Sequence, residues 1–146
     1  MKSMNMAILG AGRIAGTMAE TIREMKWVNS YAVASRSKEK AESFAGEYGF
    51  EKAYGSYEEM VQDPEVDLVY VASPHSHHYE HIKLCLEHGK HVLCEKAFTV
   101  NEAQAREVFA MAKERNLLVT EAMWVRYMPM VRTLQDVIKS GVIGKV

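Results

Sequence analysis

Cysteine is scarce: Cys85 and Cys94 stand alone in 146 residues, with no Cys-x-x-Cys spacing. That excludes a disulfide scaffold and points to a reducing compartment. Proline is nearly as rare, at three residues, which leaves no room for a proline-rich linker. Neither charge sign is in excess, with 18 Lys and Arg against 19 Asp and Glu and a net charge of −1. With no basic stripe, nucleic acid is not expected as a partner. No apolar stretch approaches the length of a membrane span, and the short run after Lys2 is too brief for a signal core, so no membrane partner is expected either. Repeats and low-complexity tracts are missing too. What is present is 48% hydrophobic and 25% charged, the balance of a cytoplasmic globular domain with room for one core rather than two.

The organising stretch is Met6-Ala7-Ile8-Leu9 followed by Gly10-Ala11-Gly12-Arg13-Ile14-Ala15-Gly16. A short apolar strand breaks into Gly-x-Gly-x-x-Gly and passes directly into a helical pattern. Gly10 permits the tight exit from the strand, Gly12 lets backbone approach a pyrophosphate, and Gly16 lets the helix lie close against the sheet. The helix then aims its free N–H groups and positive dipole end at the phosphates, around Gly12, Arg13 and Ile14. An ordinary strand-to-helix turn with no ligand is the competing reading.

Strand and helix patterns alternate along the rest of the chain. Strands are expected at Met6 to Leu9, Tyr31 to Ala34, Lys52 to Tyr54, Asp67 to Ala72, His91 to Cys94 and Leu117 to Thr120. The intervening helices carry apolar stripes: Ile14, Met18, Ile22 and Met25; Ala41, Phe44, Ala45 and Tyr48; His78, Ile82, Cys85 and Leu86; Ala105, Val108, Phe109 and Ala112. Ser37, Ser56 and Asn101 are expected N-caps, and Gly89 a helix end. A last helix runs from Met130 to Lys139. Such alternation calls for right-handed crossovers and a parallel sheet. The expected fold is α/β, a Rossmann-type doubly wound sheet in strand order 3-2-1-4-5-6 with ligand at the strands' carboxyl ends.

The end of the second strand reads the adenosine ribose. A carboxylate there would mark NAD; this chain has Ser35 and Arg36, with Lys38 just beyond. No acid repels a 2′-phosphate, and a guanidinium fork is present to hold one. NADP(H) is therefore favoured, with NAD(H) the alternative if Arg36 is only a solvated charge or stacks on adenine.

Ala72-Ser-Pro-His-Ser-His-His78 and Gly89-Lys-His-Val-Leu-Cys-Glu-Lys96 together resemble the glucose–fructose oxidoreductase and inositol dehydrogenase family (Gfo/Idh/MocA). The segment Glu121-Ala-Met-Trp-Val-Arg-Tyr-Met-Pro129 is most similar to the dihydrodiol dehydrogenase and D-xylose dehydrogenase branch of it. The resemblance implies an NAD(P)-binding Rossmann domain over 1–121 and a substrate-side segment over 122–146. It also implies a second α+β domain that would begin about where this sequence stops. On that footing the small-molecule substrate is a sugar or cyclic diol, the full-length protein is a homo-oligomer, and this chain binds cofactor without full turnover of its own.

Residue by residue, Lys96 matches the family's catalytic lysine in Glu-Lys-Pro, with Glu95 beside it to orient it. Ala97 departs from that motif, and without proline the Lys96-Ala97 bond is expected to be trans. Ser73, Pro74, His75 and His78 match the loop bordering the nicotinamide, with His75 where asparagine is usual. His78 also fits a hydrogen-bonded core histidine. Trp124, Arg126 and Tyr127 match the substrate pocket, although Met123, Trp124, Tyr127 and Met128 would also suit a hydrophobic hinge. Met123, Met128 and Met130 read as gap-filling core. His77 and His81 have i,i+4 spacing but face away from the His78 stripe, and no third ligand is evident, so no metal is expected. Two other readings stay open: a nucleotide-binding sensor or interaction module without catalysis, and the family's glycosidase branch.

Overall fold

A computed structural model describes residues 3–146; Met1 and Lys2 lie outside the described residues, and the short apolar run after Lys2 forms the first strand. The strands are β1 (Met4–Leu9), β2 (Val28–Ala34), β3 (Lys52–Tyr54), β4 (Leu68–Val71), β5 (His91–Cys94) and β6 (Val119–Glu121). The helices are α1 (Arg13–Arg23), α2 (Lys38–Tyr48), α3 (Tyr57–Gln62), α4 (His78–Glu87), α5 (Glu102–Glu114) and α6 (Pro129–Lys139). All strand pairs are parallel, and the six-stranded sheet has the expected order β3-β2-β1-β4-β5-β6. The central strands β1 and β4 are buried on both faces, which explains why they read as unbroken apolar runs.

Side-chain alternation divides the core. Ala7, Leu9, Val69, Val71, Val92 and Cys94 face one side with Ile82, Leu86, Val108 and Ala112 of α4 and α5. Met6, Ile8, Val33 and Tyr70 face the other with Ala15, Ala19 and Ile22 of α1 and Phe44 and Ala45 of α2. The caps fall at the expected residues: Ser37 Oγ accepts from the Lys40 N–H at 3.3 Å, Ser56 Oγ from Glu59 at 3.1 Å, and Asn101 Oδ1 from Gln104 at 3.0 Å. Each satisfies an N–H that the helix itself leaves free.

Asp63, just past α3, ties the sheet's β3 side together. Its Oδ2 accepts from Tyr31 Oη (3.0 Å), Lys52 Nζ (2.7 Å) and Tyr54 Oη (2.6 Å), and its Oδ1 from the Glu65 N–H (3.0 Å). Nearby, buried Lys90 donates to the carbonyls of Asp63 (2.7 Å) and Val66 (2.9 Å), which tethers the turn before β5.

Several expectations need correction. β2 begins earlier than Tyr31, and β6 lies two residues further along than its expected start at Leu117. On α1 the buried face is Ala15, Gly16, Ala19 and Ile22, while Ile14 is exposed; small residues let the helix sit close, so the bulky ones end up on its flank. On α5, Phe109 is also exposed, although its ring still stacks on Phe98 at 5.2 Å. Met128 and Met130 are exposed and Met123 half-buried, so they do not fill a core. Gly16 is close-packed against α2 rather than the sheet, because a Cβ there would stand 2.7 Å from the Tyr48 hydroxyl.

Candidate active site

The strand ends place the site. Gly10 follows β1 with φ of +105°, and an added Cβ would lie 3.0 Å from the Ala72 carbonyl oxygen. Both the left-handed backbone and the close approach of the β4 exit therefore demand glycine. Gly12 has the opposite character. It is the N-cap of α1, with no side-chain cap, and a Cβ there would meet nothing within 4 Å. The space a side chain would fill lies over the uncapped first turn of α1, where a pyrophosphate can take the N–H groups of the Gly12-Arg13-Ile14 stretch. The residues present thus fit a dinucleotide.

At the end of β2, Ser35 is buried and its Oγ lies 3.4 Å from the Ser37 N–H, so it shapes the turn into α2. Arg36 is exposed beside it. It lies in the turn between β2 and α2, at the carboxyl edge of the sheet.

The loop after β4 holds the histidines. Ser73 is buried, while Pro74 and His75 are exposed where a 3₁₀ turn (His75–His77) begins. His78 is fully buried: its Nδ1 lies 2.9 Å from the Ala97 carbonyl oxygen and its Nε2 2.9 Å from that of Ser73. It acts on the site through the two loops that it joins. His81 was missed by the sequence pattern. It does not face away but is half-buried, with Nδ1 2.8 Å from Ser73 Oγ and its ring edge-on to Tyr57 at 4.8 Å. Burial lowers its pKa to about 4, so it is neutral at pH 7. His77 stacks on it at 5.8 Å. Among the described residues, no three His, Cys, Asp or Glu side chains gather as a metal would need.

After β5, Glu95 is buried, and Lys96 and Ala97 are exposed. The Lys96-Ala97 peptide bond is cis, which corrects the expectation of a trans bond. Segment 96–98 is held by hydrogen bonds from α4 and β6 as well as from the neighbouring Glu95 side chain, a source of restraint that local propensity does not contain. Glu95 accepts from the Tyr70 hydroxyl through Oε1 and from the Lys96 N–H through Oε2 at 3.2 Å.

Beside these residues lies an open cleft of about 670 Å³. Tyr70, Leu93 and Thr120 form its floor, and Ile14, Thr17, Met18 and Thr21 of α1 one wall. Glu95, Met123, Trp124 and Tyr127 line the far side. Trp124 and Tyr127 stay 60% and 76% exposed, so this wall has a free outer face. Lys96 and Arg126, both expected in the substrate pocket, are exposed and do not line the cleft.

The model of an oxidoreductase family with an NAD-binding Rossmann fold matches residues 4–123. The chain belongs to this family. It is 46% identical over 129 residues to the D-xylose 1-dehydrogenase (NADP(+)) of Hypocrea jecorina, which covers 88% of this chain and 33% of that protein. It is 38% identical over 144 residues to the trans-1,2-dihydrobenzene-1,2-diol dehydrogenase of Mus musculus, covering 97% of this chain and 43% of the relative. A 3-ketoreductase from Actinomadura kijaniata solved with NADP superposes with a TM-score of 0.95 at 32% identity, over 99% of this chain and 46% of that one. The chain therefore spans a third to under half of the length of these relatives. Within this oxidoreductase family its NAD(P)-binding fold is that of the nucleotide domain.

Proposed function

We propose that this chain supplies the nucleotide-binding part of an NADP(H)-preferring oxidoreductase, which moves a hydride between the nicotinamide and a secondary alcohol of a sugar or cyclic diol. One observation carries the reading: a single sheet edge gathers the open turn at Gly12, Arg36 and the exposed Lys96. The named activities of the xylose and dihydrodiol dehydrogenases support the substrate class.

When bound, the dinucleotide supplies the hydride acceptor or donor. The chain's residues do the rest. The first turn of α1 holds the pyrophosphate, and Arg36 offers a fork to a 2′-phosphate. Ser73, Pro74 and His75 border the nicotinamide side, with His78 fixing their loop from beneath. Lys96 takes the proton from the substrate hydroxyl on oxidation and returns it on reduction. Trp124 and Tyr127 offer flat apolar faces to a ring substrate, and Arg126 flanks them.

The test is NADP⁺ with a large excess of D-xylose or trans-cyclohexane-1,2-diol, with NADPH formation followed in the parent chain and in Lys96→Ala. Slow NADPH formation, well short of full turnover, is expected in the parent, with a loss of about a hundredfold in the variant, the usual scale of general acid–base catalysis. Equal rates in both would contradict the role of Lys96. The free outer face of Trp124 and Tyr127 favours a second reading, cofactor binding without chemistry, because a substrate site normally encloses its ligand. NADPH binding with no turnover in the parent would support that reading.

A further inference from the structure

Three backbone groups around Lys96 are held by side chains from different elements. The Lys96 N–H donates to Glu95 Oε2 at 3.2 Å, and Glu95 is itself held by the hydroxyl of Tyr70 on β4. The Ala97 carbonyl takes His78 Nδ1 of α4 at 2.9 Å. The Phe98 N–H donates to Oε1 of Glu121, the last residue of β6, at 3.0 Å.

We propose that Glu121 and Tyr70 are positioning residues that hold the 96–98 segment so that the Lys96 amine faces the cofactor edge. The proposal rests on the reading of Lys96 given above. Its mounts are rigid. Glu121 is paired directly with Cys94 across β5 and β6, and the next residue, Ala122, donates its N–H to the Cys94 carbonyl at 2.7 Å. Tyr70 is 1% exposed, and burial together with the Glu95 carboxylate pushes its pKa far up, so it stays a neutral donor. Phe98 is buried and stacked on Phe109, which anchors the downstream end. Ala97 has no ring to fix its φ, so these side chains supply the restraint.

The experiment compares the parent with Glu121→Ala, Glu121→Gln and Tyr70→Phe. Gln keeps an acceptor oxygen, and Phe keeps the ring that fills the core. Two quantities are read: amide exchange at Phe98, and trace acetylation of Lys96 relative to exposed Lys26, with and without saturating NADP⁺. In Glu121→Ala the Phe98 amide should exchange about tenfold faster, the loss expected for one hydrogen bond, and Gln should restore it. In the parent NADP⁺ should shield Lys96 several-fold. Glu121→Ala and Tyr70→Phe should lose most of that shielding, and Gln should recover it. Unchanged exchange at Phe98, or full shielding in both Glu121→Ala and Tyr70→Phe, would overturn the proposal. If Phe98 responds as expected while NADP⁺ leaves Lys96 unshielded in the parent, the segment is positioned as proposed and the role of Lys96 falls instead.

Discussion

Gly12 and Gly10 sit two residues apart and are constrained by different things. Nothing lies within 4 Å of a Cβ at Gly12, so Gly12→Ala should leave the melting temperature almost unchanged and weaken NADPH binding by an order of magnitude or more. Thermal melts beside a fluorescence titration check it, and a joint loss of both would contradict it. Asp63 makes the opposite case, a residue remote from chemistry on which stability depends. Burial alone would raise its pKa, but the hydrogen bonds from Lys52, Tyr54, the Glu65 N–H and Tyr31 outweigh that and hold it well below the ordinary 3.8. Asp63→Ala leaves the buried Tyr31 hydroxyl without its acceptor and should cost about 2–3 kcal/mol in urea unfolding. In the parent its contribution is complete above about pH 4 and fades as the pH falls further, because the unfolded chain then binds the proton first. His81 acts at milder acidity. Its ring charges near 6.5 when unfolded but only near 4 when folded, so stability falls as the pH drops between those values. His81→Gln should therefore lose less stability than the parent between pH 7 and pH 5.

At the scale of elements, the connection between β1 and α1 is the most constrained. Gly10→Ala meets both a left-handed φ and the Ala72 carbonyl, and should cost about 2–3 kcal/mol, unlike its neighbour two residues on. The alternation of strands and helices and their caps were legible in the sequence because they rest on local chemistry: Ser37, Ser56 and Asn101 cap where their side chains must, and the run Leu68 to Val71 reads as a covered central strand. The strand order followed from that alternation through the handedness of the crossovers and the doubly wound topology. Less legible were features decided by tertiary contact. Ile14 has the right spacing for a buried stripe, yet α1 turns its alanines inward. His81 has the wrong spacing, yet the β4 exit bends far enough for Ser73 to meet it. Ala97 signals a trans bond, but the groups that grip its neighbours come from residues as distant as Glu121. At the candidate site the glycine turn and Arg36 stand out by their positions after β1 and β2, and Lys96 only through the family resemblance, while Tyr70 and Glu121 do not stand out, since each looks like an ordinary strand residue.

For the whole molecule, the sheet's two faces are covered unequally. α4 and α5 cover β4 and β5 on one face, but on the other the open cleft lies between α1 and the Trp124–Tyr127 turn. Along α6, Met130, Leu134, Val137 and Ile138 are exposed as well. Apolar surface of this extent drives association, so the 146-residue chain should self-associate with rising concentration, and Leu134→Asp should reduce this in light scattering. A parent that stays monomeric at high concentration would contradict that. The central claim is that the carboxyl edge of this sheet is built for a 2′-phosphorylated dinucleotide. Paired fluorescence titrations of the chain with NADPH and NADH test it most directly, with Arg36→Ala alongside. The account predicts much tighter binding of NADPH, with the preference falling at least about tenfold in Arg36→Ala, as expected for loss of a charge-assisted fork. Equal affinity for the two cofactors in the parent would contradict the assignment of Arg36, and binding of neither would contradict the nucleotide site itself.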